Sequence, residues 1–452
     1  MIKCSLRTVI VAPALLLFAF QATGQTSQKG PEIHRFSIKE AIDYGTKNSV
    51  QVKNALLNYQ SQEQTNRSIT SEAYPQLTGN VSLTDNAIIA TQLLPGEFAG
   101  QPAGTFIPIK FGTQWNTTAG ANLKQVLFDG QIFVGLKARS TALAYAQKAT
   151  EVTEQMIRVN IYKVYYQLVL SKTQIDLIDA NIARAEELLH NTSEMYKNGF
   201  SEKLDVDKAS VQLSNLQTEK IQTNFTIENG YLGLKVLLGM PIRDSLTLTD
   251  TLTYEMVKDA TLSDIDYQYT DRRDFQLLRL NKDLNEFDIK RYRKMYIPVV
   301  SFNAGYTQNA YRTKFDLFGP GFWYPAGYLG LNISVPIFDG FYKDASIQKA
   351  KIALRQTENQ MDALKIAIDN DVKQAQLRFV AAMQTLEFQK KNMDLAESVY
   401  NQTRKKFEAG VGSNTEITSA ESDFKLAQTN YLTALYNSVI AKIDYQNAIG
   451  KI

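Results

Sequence analysis

The chain has 452 residues, 44% of them hydrophobic and 21% charged, with a formal net charge of +3. That length accommodates a large core or two domains, and so small a positive excess leaves no electrostatic footprint for nucleic acid. One cysteine and two widely separated histidines, His34 and His190, are too few for a zinc site, a disulfide framework or a cysteine–histidine catalytic pair, and no cofactor is expected.

The N-terminus reads as an export signal. Lys3 and Arg7 precede an apolar run from Val9 to Phe20, and the small residues Ala22, Thr23 and Gly24 come next, where a signal peptidase cuts. Residues 1–24 are therefore expected to be removed, which takes away Cys4 and lowers the charge to +1. The apolar run falls short of the ~20 residues of a membrane-spanning helix, and no comparable run comes after it. An exported chain of this kind is periplasmic, secreted or an outer-membrane barrel.

Past the leader, Ser37 with Glu40 three residues on forms a capping box that opens a first helix. Pro75 then opens a strand in which Leu77, Gly79, Val81 and Leu83 alternate with Thr78, Asn80, Ser82 and Thr84. A second strand alternates Thr118, Gly120, Asn122 and Lys124 with Ala119, Ala121, Leu123 and Gln125 and ends in Leu127-Phe128-Asp129-Gly130. Each alternation lasts the ~9–11 residues of a tilted membrane strand. From Gln131 to Asn198 there is no proline, and the composition predicts one helix roughly 100 Å long. Gly199 ends it, and a returning helix runs to Leu238-Gly239.

The same order then recurs. Pro298 opens strands built on Val300, Phe302, Ala304 and Tyr306, and on Leu329, Leu331, Ile333, Val335 and Ile337. Ile337-Phe338-Asp339-Gly340 lies 210 residues after its counterpart, while Gly410 lies 211 after Gly199, and Gly450 lies 211 after Gly239. The long helices carry heptads. Ile368, Val372, Ala375, Phe379, Leu386, Met393, Tyr400 and Phe407 form one seam; Ile417, Ala420, Phe424, Ala427, Tyr431, Ala434, Ala441, Tyr445 and Ala448 form the next. A second stripe on the last helix runs Leu432, Leu435, Val439, Gln446 and Ile449, and two seams on one helix require neighbours on both sides. Trp115, Tyr306, Tyr324 and Tyr328 are expected near strand ends, as interface aromatics.

These landmarks divide the chain at 25–242 and 243–452. The first repeat holds strands 76–90 and 113–128 and a helix hairpin 131–238; the second holds strands 299–311 and 326–338 and a hairpin 341–450. Four strands cannot close a barrel in lipid without leaving backbone groups unpaired, so an oligomer is required, and three copies would supply twelve strands. No phosphate loop, nucleotide fingerprint or nucleophile elbow is present, and scattered acids fit heptad surfaces better than catalysis, so no enzyme is expected. A periplasmic coiled-coil adaptor or scaffold shares the leader and hairpins but has no need of four long amphipathic strands.

Taken in order, these segments resemble the TolC-like outer-membrane efflux channels. Ser37-Ile38-Lys39-Glu40-Ala41-Ile42 is similar to the family's first helix, Pro75 and Pro298 to its strand-opening prolines, and the two Phe-Asp-Gly segments to its strand-to-helix junctions. The resemblance implies an α+β fold: a homotrimeric twelve-stranded barrel in outer-membrane lipid, continuous with a periplasmic tunnel of long coiled-coil helices. It also implies a passive gated duct of a tripartite efflux or type I secretion system, with a periplasmic adaptor and an inner-membrane transporter as partners. By the same resemblance, Gly199, Phe200, Ser201 and Gly410, Val411, Gly412 are the hairpin tips where an adaptor docks. Asp205 and Glu416, six residues past Gly199 and Gly410, match acids that narrow the inner aperture. Ser419 stands where the family has a further acid.

Overall fold

The computed structural model describes residues 32–258, 267–316 and 320–452; the proposed leader lies outside them. Strand β1 (Ile33–Phe36) leads into α1 (Ile38–Asn48) and α2 (Val50–Ser71). The capping box forms: Ser37 Oγ accepts from the Glu40 amide, and the Ser37 amide donates to Glu40 Oε2 at 2.8 Å. Strand β2 (Gln76–Asp85), a short hairpin of β3 (Thr91–Pro95) and β4 (Phe106–Lys110), and β5 (Trp115–Phe128) precede the 68-residue α3 (Gly130–Lys197). Next come helix α4 (Lys203–Leu238), β6 (Ser245–Leu248), the single turn α5 (Glu255–Lys258) and α6 (Arg273–Lys294). Strands β7 (Val299–Arg312) and β8 (Tyr324–Ser334) then feed α7 (Tyr342–Glu408) and α8 (Asn414–Ala448).

Both Phe-Asp-Gly junctions work by capping. Asp129 accepts from the Gln131 amide at 2.7 Å and starts α3 directly. Asp339 accepts from the Lys343 amide at 3.1 Å, two residues later, after Gly340 and Phe341 take left-handed φ values of 65° and 66°. The alternation predicts a last strand that reaches residue 338, but the chain leaves the sheet after Ser334; Pro336 has no N–H to give a ladder. The first strand stops at Asp85 rather than 90, because the Asn86 side chain bonds the Thr113 carbonyl and the chain turns into the β3–β4 hairpin. The sequence pattern predicts no separate element there, and none at β1, whose parallel pairing with β6 ties the start of the described chain to residues 245–248.

The four long strands form one antiparallel sheet in the order β2-β5-β7-β8. Its register places like with like. Leu77 stands opposite Leu123, Ala121 opposite Tyr306, and Phe302 opposite Leu331, which makes one apolar face. Asn80, Asn122, Thr118 and Asn309 share the other face, where Asn122 Nδ2 donates to Asn80 Oδ1 at 3.0 Å and Thr118 Oγ1 to Asn309 Oδ1 at 2.9 Å. Tyr306 and Tyr328 lie inside their strands instead of at the ends; Tyr306 is paired with Gly327, and the Tyr328 ring covers Gly305.

The helices repeat the lateral order of the strands. Helices α2 and α4 pack along α3, α6 and α8 pack between α3 and α7, and α7 forms the other flank. Four columns result, α2/α4, α3, α6/α8 and α7, each continuous with one strand of the sheet. The columns of paired helices meet end to end at glycines. Gly239 (φ 70°) ends α4 against the α1–α2 break, and Gly450 (φ 77°) ends α8 against the start of α6. The main core lies at this level: Ile157, Ile161 and Tyr165 of α3 meet Ala41, Ile42, Leu234, Leu238, Leu246 and Leu435. Most of the expected seam residues on α7 and α8 are buried, but Gln446 is exposed, so the second stripe breaks there.

Candidate functional site

At the end of the helix layer away from the sheet, each hairpin turns through the same cap. Gly199 and Gly410 have φ of 80° and 74°. The Phe200 amide donates to Met195 O at 2.8 Å and the Val411 amide to Lys406 O at 3.1 Å, the six-to-one bond of a Schellman motif. A left-handed residue is required here, and glycine takes it without strain. The residue after each glycine is exposed: Phe200 is 79% and Val411 76% accessible, both at the extreme tip. Ser201 turns back and donates from Oγ to Asp205 Oδ2 at 3.1 Å, and Gly412 donates its amide to Lys406 O.

The two acids expected at the aperture sit at this end in different settings. Asp205, in the first turn of α4, receives a hydrogen bond from Asn414 of α8 and another from Ser201. The Asn414 bond, foremost, holds its carboxyl below the usual aspartate range. Glu416 is exposed, and its carboxylate has one charged neighbour, Lys406 Nζ at 3.9 Å. Within one chain Asp205 ties the hairpins together and Glu416 stands free of such a tie. Ser419 is exposed beside them.

Behind the tips lies a polar cluster that the heptad pattern hid. Glu421 is only 4% accessible although it comes directly after a seam alanine. Gln212 Nε2 of α4 donates to its Oε2 at 3.0 Å. Arg184 of α3 stands nearby, its guanidinium 5.8 Å from the Tyr400 ring and 5.6 Å from the Phe424 ring. Burial pushes the Glu421 carboxyl above the ordinary glutamate range, against the opposing pull of Arg184, the Gln212 bond and Lys425. Further braces cross the layer: Arg404 Nη2 to Glu187 Oε1 at 2.8 Å, Lys220 to Asp179 at 2.6 Å, and Lys425 to Glu219. A groove of about 600 Å³ opens beside the cluster, lined by Leu204, Val211 and Leu216 of α4 and Thr418 and Ser422 of α8. The only sequence signal for Glu421 is a charge one residue off a seam position, which also describes an ordinary solvated flank.

Among the described residues no group of acids, histidines or cysteines could hold a metal, and no helix is long and apolar enough to cross a membrane. An amphipathic sheet continued by a layer of very long helices, with its functional features at the tips, defines a membrane channel component. Residues 43–240 and 270–451 match the family model described as outer membrane efflux protein, and the chain belongs to that family. It is an outer-membrane channel that reaches into the periplasm, a duct and not an enzyme, which sets aside the adaptor reading.

Relatives agree at low identity. The outer membrane protein TolC of Vibrio cholerae is 20% identical over 343 residues, 74% of this chain and 77% of that protein. The protease secretion protein PrtF of Dickeya chrysanthemi is 20% identical over 349 residues, 75% of this chain and 73% of that one. Among solved structures, the outer membrane protein VceC of V. cholerae superposes with a TM-score of 0.70 at 15% identity, over 91% of this chain and 96% of that chain. CusC, whose structures describe transmembrane channel formation, gives 0.73 at 15% identity, over 94% and 95%. At such identities the likeness establishes the fold.

Proposed function

We propose that the chain is the outer-membrane duct of a tripartite efflux or type I secretion assembly, working as a homotrimer. One observation carries this reading: both flanks of the protomer are unfinished in the same way. Strands β2 and β8 are the edges of the sheet, with no partner on their outer sides. Below them, α4 exposes Leu204, Val211, Phe225 and Leu232 at multiples of seven residues, and α7 exposes Ile352, Ile366, Phe388 and Leu395. A β2 edge with α4 on one side and a β8 edge with α7 on the other make a head-to-tail pair of surfaces, the kind that closes a ring. Three copies make twelve strands, enough to enclose a pore, with the Leu77–Leu331 face toward lipid and the asparagine face toward the lumen. The shared order of elements and the matching glycine junctions support two structural repeats, 25–242 and 243–452, behind a leader at 1–24.

In this reading the duct is passive. The inner-membrane transporter supplies the energy, and a periplasmic adaptor docks at Gly199, Phe200, Ser201, Gly410, Val411 and Gly412. Exposed Phe200 and Val411, with the groove beside α4, supply the apolar contact that such docking needs. Asp205 and Glu416 would line the narrow inner end, Glu416 as the freer charge. Replacing Gly410 with tryptophan tests the docking: efflux should be lost at an unchanged level of protein in the outer membrane. Unchanged efflux would remove docking from that tip, and a monomer by native mass measurement in mild detergent would remove the trimer.

A further inference from the structure

The β3–β4 hairpin has no part in the duct as described. Residues 86–114 carry two charges, Glu97 and Lys110, and nine large apolar residues. Ile88, Leu93, Phe98, Phe106 and Phe111 are all exposed, Ile88 at 88% and Phe98 at 79%. The fold of the hairpin is nonetheless defined: five residue pairs join Thr91–Pro95 to Phe106–Lys110, and the Gly96 amide donates to Thr105 O at 2.7 Å. Such a contiguous apolar surface marks an interaction site.

Its position says with what. Asp85, Trp115 and Arg312 stand in one row across three strands, and Phe315 packs edge-on against Trp115 at 5.0 Å. Charged residues and an aromatic in register mark the outer limit of the hydrocarbon layer. The hairpin begins one pair beyond this row, where Asn86 bonds Gln114, and extends roughly 25 Å further along the strands. Acyl chains do not reach that level. The hairpin grows from β2, an edge strand, and in the trimer reading the strand beside β2 is β8 of the next copy. Antiparallel order puts the beginning of that β8 beside the end of β2. There Tyr324 comes directly after Phe322 and Trp323, and all three side chains are exposed within one chain.

We propose that the 86–114 hairpin is a clasp that crosses the seam and packs on residues 322–324 of the neighbouring copy, so that three clasps form an apolar collar around the outer mouth. The proposal rests on the trimer reading, since the seam exists only there. The collar makes each subunit hold the next at the end farthest from the helices.

The test uses the full chain in outer membranes, with a benzophenone amino acid in place of Phe98 and, as a control, in place of Leu329 on the apolar face of the sheet. Irradiation from Phe98 should give covalent dimers and trimers on a denaturing gel, several-fold above the Leu329 control, with the crosslinked peptide mapping to 311–324. A Phe98 probe that yields only lipid adducts, or none, in protein that is trimeric by native mass overturns the clasp and leaves the trimer standing. A monomeric native mass overturns both. A Phe106→Cys and Trp323→Cys pair provides a second measurement, with an intersubunit disulfide expected and its absence in trimeric protein counting against the clasp.

Discussion

Four glycines end four helices through the same cap, yet substituting them should have two distinct costs. An alanine at any of the four must hold a left-handed backbone, which costs about 1–2 kcal/mol for an L-residue. At Gly199 and Gly410 nothing lies within 4 Å of the added Cβ, so that cost is the whole effect. At Gly239 the Cβ would lie 2.3 Å from the Asn48 carbonyl oxygen, and at Gly450 it would lie 2.7 Å from that of Asp271. Those oxygens belong to the backbone where α2 and α6 begin, so relief requires moving a helix end. Overpacking of this kind adds about 1–3 kcal/mol. Gly239→Ala and Gly450→Ala should therefore lose roughly twice what Gly199→Ala and Gly410→Ala lose, by denaturant or thermal unfolding in detergent. Equal losses at all four positions would show that the end-to-end packing of α4 against α1–α2 and of α8 against α6 is not what makes these glycines necessary. Efflux adds a second axis: the alanine variants at the tips should retain it, because a methyl group leaves Phe200 and Val411 in place.

The buried Glu421 predicts a pH effect of definite sign. Its carboxyl is raised by burial, so its contribution to stability is complete below the unfolded-state value and is lost as pH rises through the folded-state value. Glu421→Gln keeps an acceptor for Gln212 and should flatten that decline between mildly acid and neutral pH; an unchanged slope would assign it to another group. Asp205 runs the other way: its lowered carboxyl stabilises above the unfolded value and loses that contribution as pH falls, and Asn414→Ala should reduce the loss. Glu416→Gln should weaken cation selectivity and block in single-channel recordings, and unaltered selectivity would end its role at the aperture. Tyr165 Oη donates to Phe36 O at 2.9 Å from a fully buried position, so Tyr165→Phe should cost about 1 kcal/mol, measured by unfolding.

Covalent order and periodicity carried much of this architecture. The alternation of Leu77–Thr84 and Val300–Thr307 specifies a strand with two unlike faces, and a 68-residue stretch free of proline specifies one long helix, because both are local consequences of side-chain spacing. Ser37 with Glu40, Asp129 and the glycines at 199, 239, 410 and 450 are legible for the same reason, since a cap depends on residues within one turn of it. Packing across the chain decided the rest. Only the assembled columns place Gln212 beside Glu421, 209 residues away, and turn a surface charge into a buried one. Pairing of Ile33–Phe36 with Ser245–Leu248 likewise depends on where α1 and α4 come to rest, which short segments with no distinctive period do not encode. At the aperture, the sequence put Asp205 and Glu416 in equivalent positions. Tertiary structure separated them, by giving Asp205 a hydrogen-bond partner from the other hairpin and leaving Glu416 exposed beside a lysine of its own.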